Sequence, residues 1–391
     1  MDYYLRVNFG DREIPVNVGN LRELTIVQDM HKFLPEFRMK IVDATGTYTH
    51  VYPFDKNMSK VSIDFAQNLE TEKPNSIMFD IYQREPDSDQ STPSNIYDIE
   101  GLMSIDGLIS PDYSRGFSGT IASTLGTIAS ELGVDSTDIS VSLNYLKSLV
   151  QPRWSNIQFL RYLKERLIGL NDVHTFKCFI KSYIGKSTFV FKSIDEFITD
   201  QVSYKFVLAD KPFEDRLPIY NYYICDNYKI YTIFASKKQD YAYYDYTNSR
   251  YASASDSIQN YLSLSDYFLV DSSDPEDSNF LTNLGRSNDF TSDFKGQVKS
   301  SFGHRIYDFV KMWITVQGLP NICPGQTIDV FSPYGVSAGN LYTYQYSGYW
   351  LVERVAHNFG DTFLTKLLLT RNGIDTDQET TLLRATNKKT R

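Results

Sequence analysis

Two stretches constrain the fold of this chain most. "ITVQGLPNICPGQTIDVF", Ile314–Phe331, reads as strand, break, strand, with Pro324 and Gly325 at the break. "YSGYWLVERVAHNFGDTFLTKLLLTRNG", Tyr346–Gly373, reads as a second strand pair around a glycine turn. Neither stretch displays a catalytic group. The clearest signal is therefore sheet architecture rather than chemistry.

The rest of the chain extends that signal. Up to about residue 110 it reads as all-β: "YYLRVNF" alternates, and "LRELTIVQDM", "EFRMKIVDA", "SKVSIDFAQ", "SIMFDIYQ" and "IYDIEGLMSI" follow as short strands. Turn signals such as "DATGTY" and "PFDKNM" separate them, and "REPDSDQSTPSN" has the composition of a surface loop. Short strands at such spacing indicate a sandwich or barrel.

The period then changes. "SGTIASTLGTIASELG" places Ile121, Leu125, Ile128 and Leu132 on one helical face, with Gly133 at the C-cap and Ser118 as the expected N-cap. In "WSNIQFLRYLKERLIG", Ser155 and Gln158 form a capping box, and Trp154 and Phe159 stand at staple positions. Phe159, Leu160, Leu163 and Leu167 make its apolar stripe. "HTFKCFIKSYIGKSTFVFKS" reads as a hairpin, so residues 111–200 are expected to form a small α/β domain.

β-character returns at about residue 201. "YNYYICDNYKIYTIFAS" and "DYAYYDYTNSRY" carry ten tyrosines between Tyr220 and Tyr251. A polar, acidic insertion follows, with "DSSDPEDSNF" and the helix candidate "DFTSDFKGQVKSSF". "SKVSIDF" and "GQTIDVF" sit alike, each after a turn and an earlier strand, which permits two related barrels. The expected fold is α+β, mainly β. Two β-barrel, tube-like domains (1–110, and 201–250 with 305–375) flank the small α/β domain (111–200). An insertion at 251–304 and a polar C-terminal tail at 376–391 complete the expectation.

Composition narrows the function classes. A chain of 391 residues is long enough for two or three domains. Its 41% hydrophobic and 22% charged residues suit a folded globular protein rather than a disordered one. A net charge of −9 argues against gripping nucleic-acid phosphates, though not against a wall past which DNA slides. Tyrosine (29) and phenylalanine (25) raise the aromatic share to 15%, which favours strand pairing and subunit contacts. Cys178, Cys225 and Cys323 have neither disulfide nor metal spacing and are expected to be small buried hydrophobes. No signal peptide and no membrane-spanning apolar run are read.

The chemical motifs are weak. "IGKST" at Ile184–Thr188 ends like a phosphate-binding loop, but Ile180 stands where the first glycine belongs. "GFSGT" does not meet the spacing of a nucleophile elbow. His31, His50, His174, His304 and His357 show no metal-ligand pairing, and "DSSDPED" lacks the ordered ligands and glycine of a calcium loop. No carboxylate pair stands out among 48 acidic residues. No catalytic, cofactor-binding or metal-binding residue is assigned, and no cofactor is expected. The tyrosines admit a stacking platform for sugars or bases, or strand pairing with a subunit interface.

The order of elements resembles the central hub proteins of contractile phage-tail baseplates, which are related to the hub domains of type VI secretion spikes. "ELTIVQDMHKFLPEFRMKIVDATGTYTHVYPFDKNMSKVSIDF" resembles the opening barrel of that family, and "GTIASTLGTIASELG" the helix after it. "QPRWSNIQFLRYLKERL" resembles its "Q…S-D-x-x-F-L-x-x-L" helix. "VQGLPNICPGQTIDVF" and "GYWLVERVAHNFGDTFLTKLLLTRNG" resemble its closing strands. The likeness runs from about Leu21 to Gly373, and the segment from about Arg250 to Ser301 has no counterpart in it.

The resemblance implies a structural, non-enzymatic homotrimer in the virion, assembled in the host cytoplasm. Six barrels in a ring would adapt a six-fold tail tube to a three-fold spike and line the DNA channel. Its implied partners are further copies of itself, the tail tube or tube-initiator protein, a trimeric spike and neighbouring baseplate proteins. DNA would pass without specific binding, the chain would not insert into a membrane, and any puncturing tip would be a separate protein. A carbohydrate- or receptor-binding tail protein is the alternative, and a tail-associated wall hydrolase a further one.

Overall fold

The computed structural model describes residues 3–10, 14–16, 18–44, 59–68, 73–87, 95–170, 173–197, 201–209, 212, 214–226, 238–245, 250–257, 278–283, 310–332 and 346–371. The acidic "DSSDPED" segment, the helix candidate at 289–302, His50, His304, and the 376–391 tail lie outside them.

Among the described residues seven strands open the chain: β1 Tyr4–Phe9, β2 Ile14–Pro15, β3 Leu21–Asp29, β4 Glu36–Asp43, β5 Lys60–Ala66, β6 Asn75–Asp87 and β7 Asn95–Met103. Alternation does what the sequence implies on β4 and β5. Phe37, Met39, Ile41, Val61, Ile63 and Phe65 point inward, while Arg38, Lys40 and Asp64 point out. β1 departs from it, because Val7, Asn8 and Phe9 are all buried.

The α/β block contains β8 Tyr113–Phe117, α1 Ile121–Leu132, β9 Ser136–Ile139, β10 Leu149–Trp154, α2 Asn156–Arg166, β11 Phe176–Tyr183 and β12 Lys186–Ser193. α1 buries Ile121, Leu125, Ile128 and Leu132 and ends at Gly133 with φ 75°. Its N-cap is Thr120 rather than Ser118. Thr120 Oγ1 accepts from the Ser123 N–H at 3.1 Å, a bond Ser118 stands too early to make. α2 carries the expected Ser155–Gln158 capping box. The Trp154 ring lies 5.2 Å from that of Tyr162, and Phe159 stacks on Phe117 at 5.8 Å. Arg115 ties the block together through Glu131 of α1 and Asn156 of α2.

The remaining strands are β13 Tyr204–Val207, β14 Leu217–Pro218, β15 Asn221–Asp226, β16 Lys238–Asp245, β17 Arg250–Ser257, β18 Ser278–Asn283, β19 Val310–Gln317, β20 Thr327–Phe331, β21 Gly348–Phe359 and β22 Phe363–Arg371. β16, β17 and β18 form a three-stranded sheet of their own. The 201–250 segment thus divides, with 204–226 pairing into the main sheet and 238–245 into the separate one.

Among the described residues the main sheet holds 14 strands. Its first unit runs β3-β4-β7-β6-β5-β1-β2 and its second β15-β19-β22-β21-β20-β13-β14. With each unit's strands numbered one to seven along the chain, both orders read 3-4-7-6-5-1-2. Strands three to seven also share their directions. Strand one differs: β1 runs antiparallel to β5, whereas β13 runs parallel to β20. The similar segments "SKVSIDF" and "GQTIDVF" both fall on strand five.

The expected barrels are open. Among the described residues no ladder joins β2 to β3, or β14 to β15. In the first unit the reason is that the outer edge of β3 pairs with β21 of the other unit, which also makes the two units one continuous sheet. Their cores remain distinct. The first runs from Phe9, Phe37, Phe65 and Phe79 into the α/β helices, and the second contains Met312, Ile314, Val330, Trp350 and Leu367. A small cluster of Met30, Phe179, Val190, Ile194, Phe197 and Leu351 lies between.

Candidate functional site at the seam between the two units

β21 is the strand on which the units meet. Gly348–Leu351 pair with β20, and Arg354–Phe359 pair with β3, on the same edge. The other edge runs along β22 with a bulge between Val352 and Arg354. Glu353 occupies the bulge, the extra residue that re-aims a strand. Its carbonyl accepts the Met30 N–H at 3.0 Å, which starts the ladder to β3.

The side chains at this bend are charged. Glu353 is 5% exposed and receives His31 Nε2 at 2.7 Å and Lys311 Nζ at 3.0 Å. Lys177 Nζ of β11 lies 3.4 Å from His31 Nδ1. Next to it, Arg354 donates through Nε at 2.6 Å and Nη2 at 2.5 Å to Asp29 Oδ2, while Asp29 Oδ1 accepts the His31 N–H at 2.8 Å. Burial alone would raise the Glu353 carboxyl, but the hydrogen bond from His31 and the charge of Lys311 outweigh it and hold it down at about 2. Both units and the α/β block contribute to this cluster.

A neutral polar node stands beside the charges. Gln28 of β3 accepts the Ser182 N–H at 2.9 Å and donates to the Ser182 carbonyl at 3.3 Å. Asn75 of β6 accepts from Gly185 N–H at 3.0 Å and donates to the Pro320 carbonyl at 3.1 Å. Cys323 Sγ donates to the same Ser182 carbonyl at 3.1 Å. The "IGKST" motif is accordingly a hairpin turn, with Ile184 at φ 49° and Gly185 at φ 70°. The Gly185 N–H that a phosphate would need is bonded to Asn75.

An aromatic cluster closes the far side. His357 is fully buried, 5.1 Å from Phe65 of the first unit and 5.7 Å from Phe363 of the second. Its Nδ1 lies 3.3 Å from Thr365 Oγ1, Nε2 has no partner among the described residues, and burial pushes the imidazole down to about 3. It is a neutral core residue. The two glycines near the "GLPNICPG" break are required by close approach. A Cβ on Gly318 would stand 2.2 Å from Phe363 Cδ1, and one on Gly325, at φ 86°, 2.8 Å from Phe197 Cε1.

The other sequence candidates scatter. Cys178 and Cys323 are buried, and burial pushes both thiols up to about 12. Cys225 is the exception to the expected burial, standing half-buried on β15. Of the tyrosine cluster, Tyr222 and Tyr223 of β15 are 44% and 67% exposed, on opposite faces of one strand. Tyr241, Tyr243 and Tyr244 belong to the separate sheet, and Tyr228, Tyr231 and Tyr246 lie outside the described residues. Among the described residues no group of three or more His, Cys, Asp or Glu could hold a metal ion, and no helix is long and apolar enough to cross a membrane.

The seam leaves little trace in the sequence. Its charged members are separated by up to 325 positions, as in the Asp29–Arg354 pair. The one local signal is the "ER" of "YWLVERVAHNF", two adjacent charges inside an otherwise apolar strand.

No family model matches the chain, and no curated protein sequence does. Solved structures do. A tail protein from Neisseria meningitidis is similar with a TM-score of 0.60 at 11% identity, over 96% of this chain and 98% of that one. The 43 kDa tail protein of prophage MuSo2 from Shewanella oneidensis is similar with a TM-score of 0.60 at 10% identity, over 95% of this chain and 100% of that one. The chain has the fold of these tail proteins along nearly its whole length.

Proposed function

We propose that this chain is the structural hub of a phage-tail baseplate. Three copies form a ring whose six units match a six-fold tail tube on one face and a three-fold spike on the other. DNA passes through the channel that they line. The observation that carries this reading is the duplicated 3-4-7-6-5-1-2 strand order within one chain, joined head to tail at β21. Matching symmetries is what makes such a subunit useful, since closed rings dock best on partners of equal symmetry. The whole-length likeness to two tail proteins supports it.

In this reading the ring wall consists of residues 1–110 with 201–226 and 310–371, and the separate β16–β18 sheet belongs to the insertion. The α/β block braces the wall from one side. The seam has a mechanical role, fixing the angle between units, and no substrate is turned over. The location is the tail baseplate. The partners are two further copies, the tube or its initiator, a spike and other baseplate proteins.

The mass of the purified protein by light scattering, alone and with the spike of the same tail, tests this. A particle near 135 kDa, three times 45.0 kDa, is expected. A 45.0 kDa monomer that spike leaves unchanged contradicts it. A glycan array then separates out the carbohydrate-binding alternative, because the hub binds no sugar specifically.

A further inference from the structure

The internal seam uses the second half of strand six of one unit and the outer edge of strand three of the other. Each chain has one more of each. Strand six of the first unit is β6, and it is built like β21. Residues 75–80 pair with β5, and the ladder to β7 carries a bulge between Ile81 and Gln83. The Ile81 N–H donates to the Ser59 carbonyl at 2.7 Å, as the Val352 N–H donates to that of Gln326 at 2.9 Å. Ile81, Tyr82 and Gln83 thus hold the places of Val352, Glu353 and Arg354. Beyond the bulge, β6 pairs with β7 alone among the described strands.

Strand three of the second unit is β15. Among the described strands it pairs with β19 alone, whereas β3 is covered on both edges. The registers can be superposed. Phe37 faces Gly101 as Met312 faces Leu369, and Ile26 faces Phe37 as Ile224 faces Met312. Ile224 therefore holds the place of Ile26.

We propose that the β15 edge of one copy takes the second half of β6 of the next copy as an antiparallel strand, repeating between chains the β3–β21 ladder within the chain. The internal pair Val27–Ala356 becomes Cys225–Glu85, and Thr25–Asn358 becomes Tyr223–Asp87. Edge strands that have no neighbour on one side among the described strands invite such addition. Pro86 holds the register place of His357, whose alternation directs its backbone at the neighbouring strand. A proline there brings no N–H, so the ladder between copies has one bond fewer than that within the chain. Proline is tolerated where it faces an edge. Among the described strands each copy has one such donor segment and one such acceptor edge, so the contact is head to tail and closes a ring by repetition. The count of three copies rests on the hub reading above.

The test is Glu85→Cys in the full chain with its native Cys225, oxidised and run on a non-reducing gel. Directly opposed residues of an antiparallel ladder are within disulfide reach. Covalent dimers and trimers are expected, lost when Cys225→Ser is added and absent from Arg84→Cys, which lies on the other face. Asp87→Cys with Tyr223→Cys, two residues along the same ladder, gives a second reading should the first variant misfold. A trimer by light scattering that neither pair crosslinks overturns the ladder and leaves the hub reading standing. A monomer that spike does not assemble, with no crosslink, overturns both.

Discussion

Two residues of the seam are poised to report on pH. His357 is buried neutral, with its pKa down at about 3 against an ordinary 6.5. The unfolded chain therefore takes up a proton that the folded chain refuses. Stability is full above about 6.5 and declines as pH falls toward 3, by up to ~1.4 kcal/mol per pH unit. His357→Leu is expected to flatten that decline in urea melts at stepped pH, at some cost in stability at neutral pH from altered packing. Glu353 acts lower, since its pKa of about 2 lies beneath the ordinary 4.5. Its contribution is present above 4.5 and is lost as pH falls through 2. Glu353→Gln leaves the half-buried Lys311 beside a neutral group, and a loss of roughly 1–3 kcal/mol at pH 7 is expected from chemical denaturation. An unchanged midpoint would show that the bulge charge does not hold the seam.

At the scale of elements, the sequence was most readable where one residue type has one physical job. The α2 capping box, the α1 stripe ending at Gly133 and the glycine turn between β21 and β22 all follow from local chemistry. The β11–β12 hairpin was legible too, though its turn is not ideal. Ile184 holds a left-handed conformation that disfavours a β-branched residue. Ile184→Asn makes the pair Asn-Gly, which suits this turn, and a gain of roughly 0.5–1 kcal/mol in thermal or urea melts is expected. What the sequence hid was which strand edges meet. Alternation says which face of β21 is buried, but nothing in "YWLVERVAHNF" says that its first half pairs with β20 and its second with β3. That division is set by a bulge whose Glu353 is held by Met30 and His31, just past β3, and by Lys311 of β19. The same blindness made two closed barrels the natural expectation.

For the whole molecule, the duplicated unit is the claim on which the rest depends. The weak likeness of "SKVSIDF" to "GQTIDVF" was its visible trace, and at strand five it marks a shared place in two topologies. Most of the remaining likeness is in pairing order, which leaves little imprint on residue identity because many apolar side chains fill one inward position equally well. In the proposed ring, a net charge of −9 on each chain would discourage adhesion of DNA. The most direct measurement is the rotational symmetry of end-on electron-microscopy averages of the purified particle. The account predicts six similar lobes around a central channel in a particle of three chains. Averages with two-fold symmetry, or three lobes with no second set between them, would contradict it.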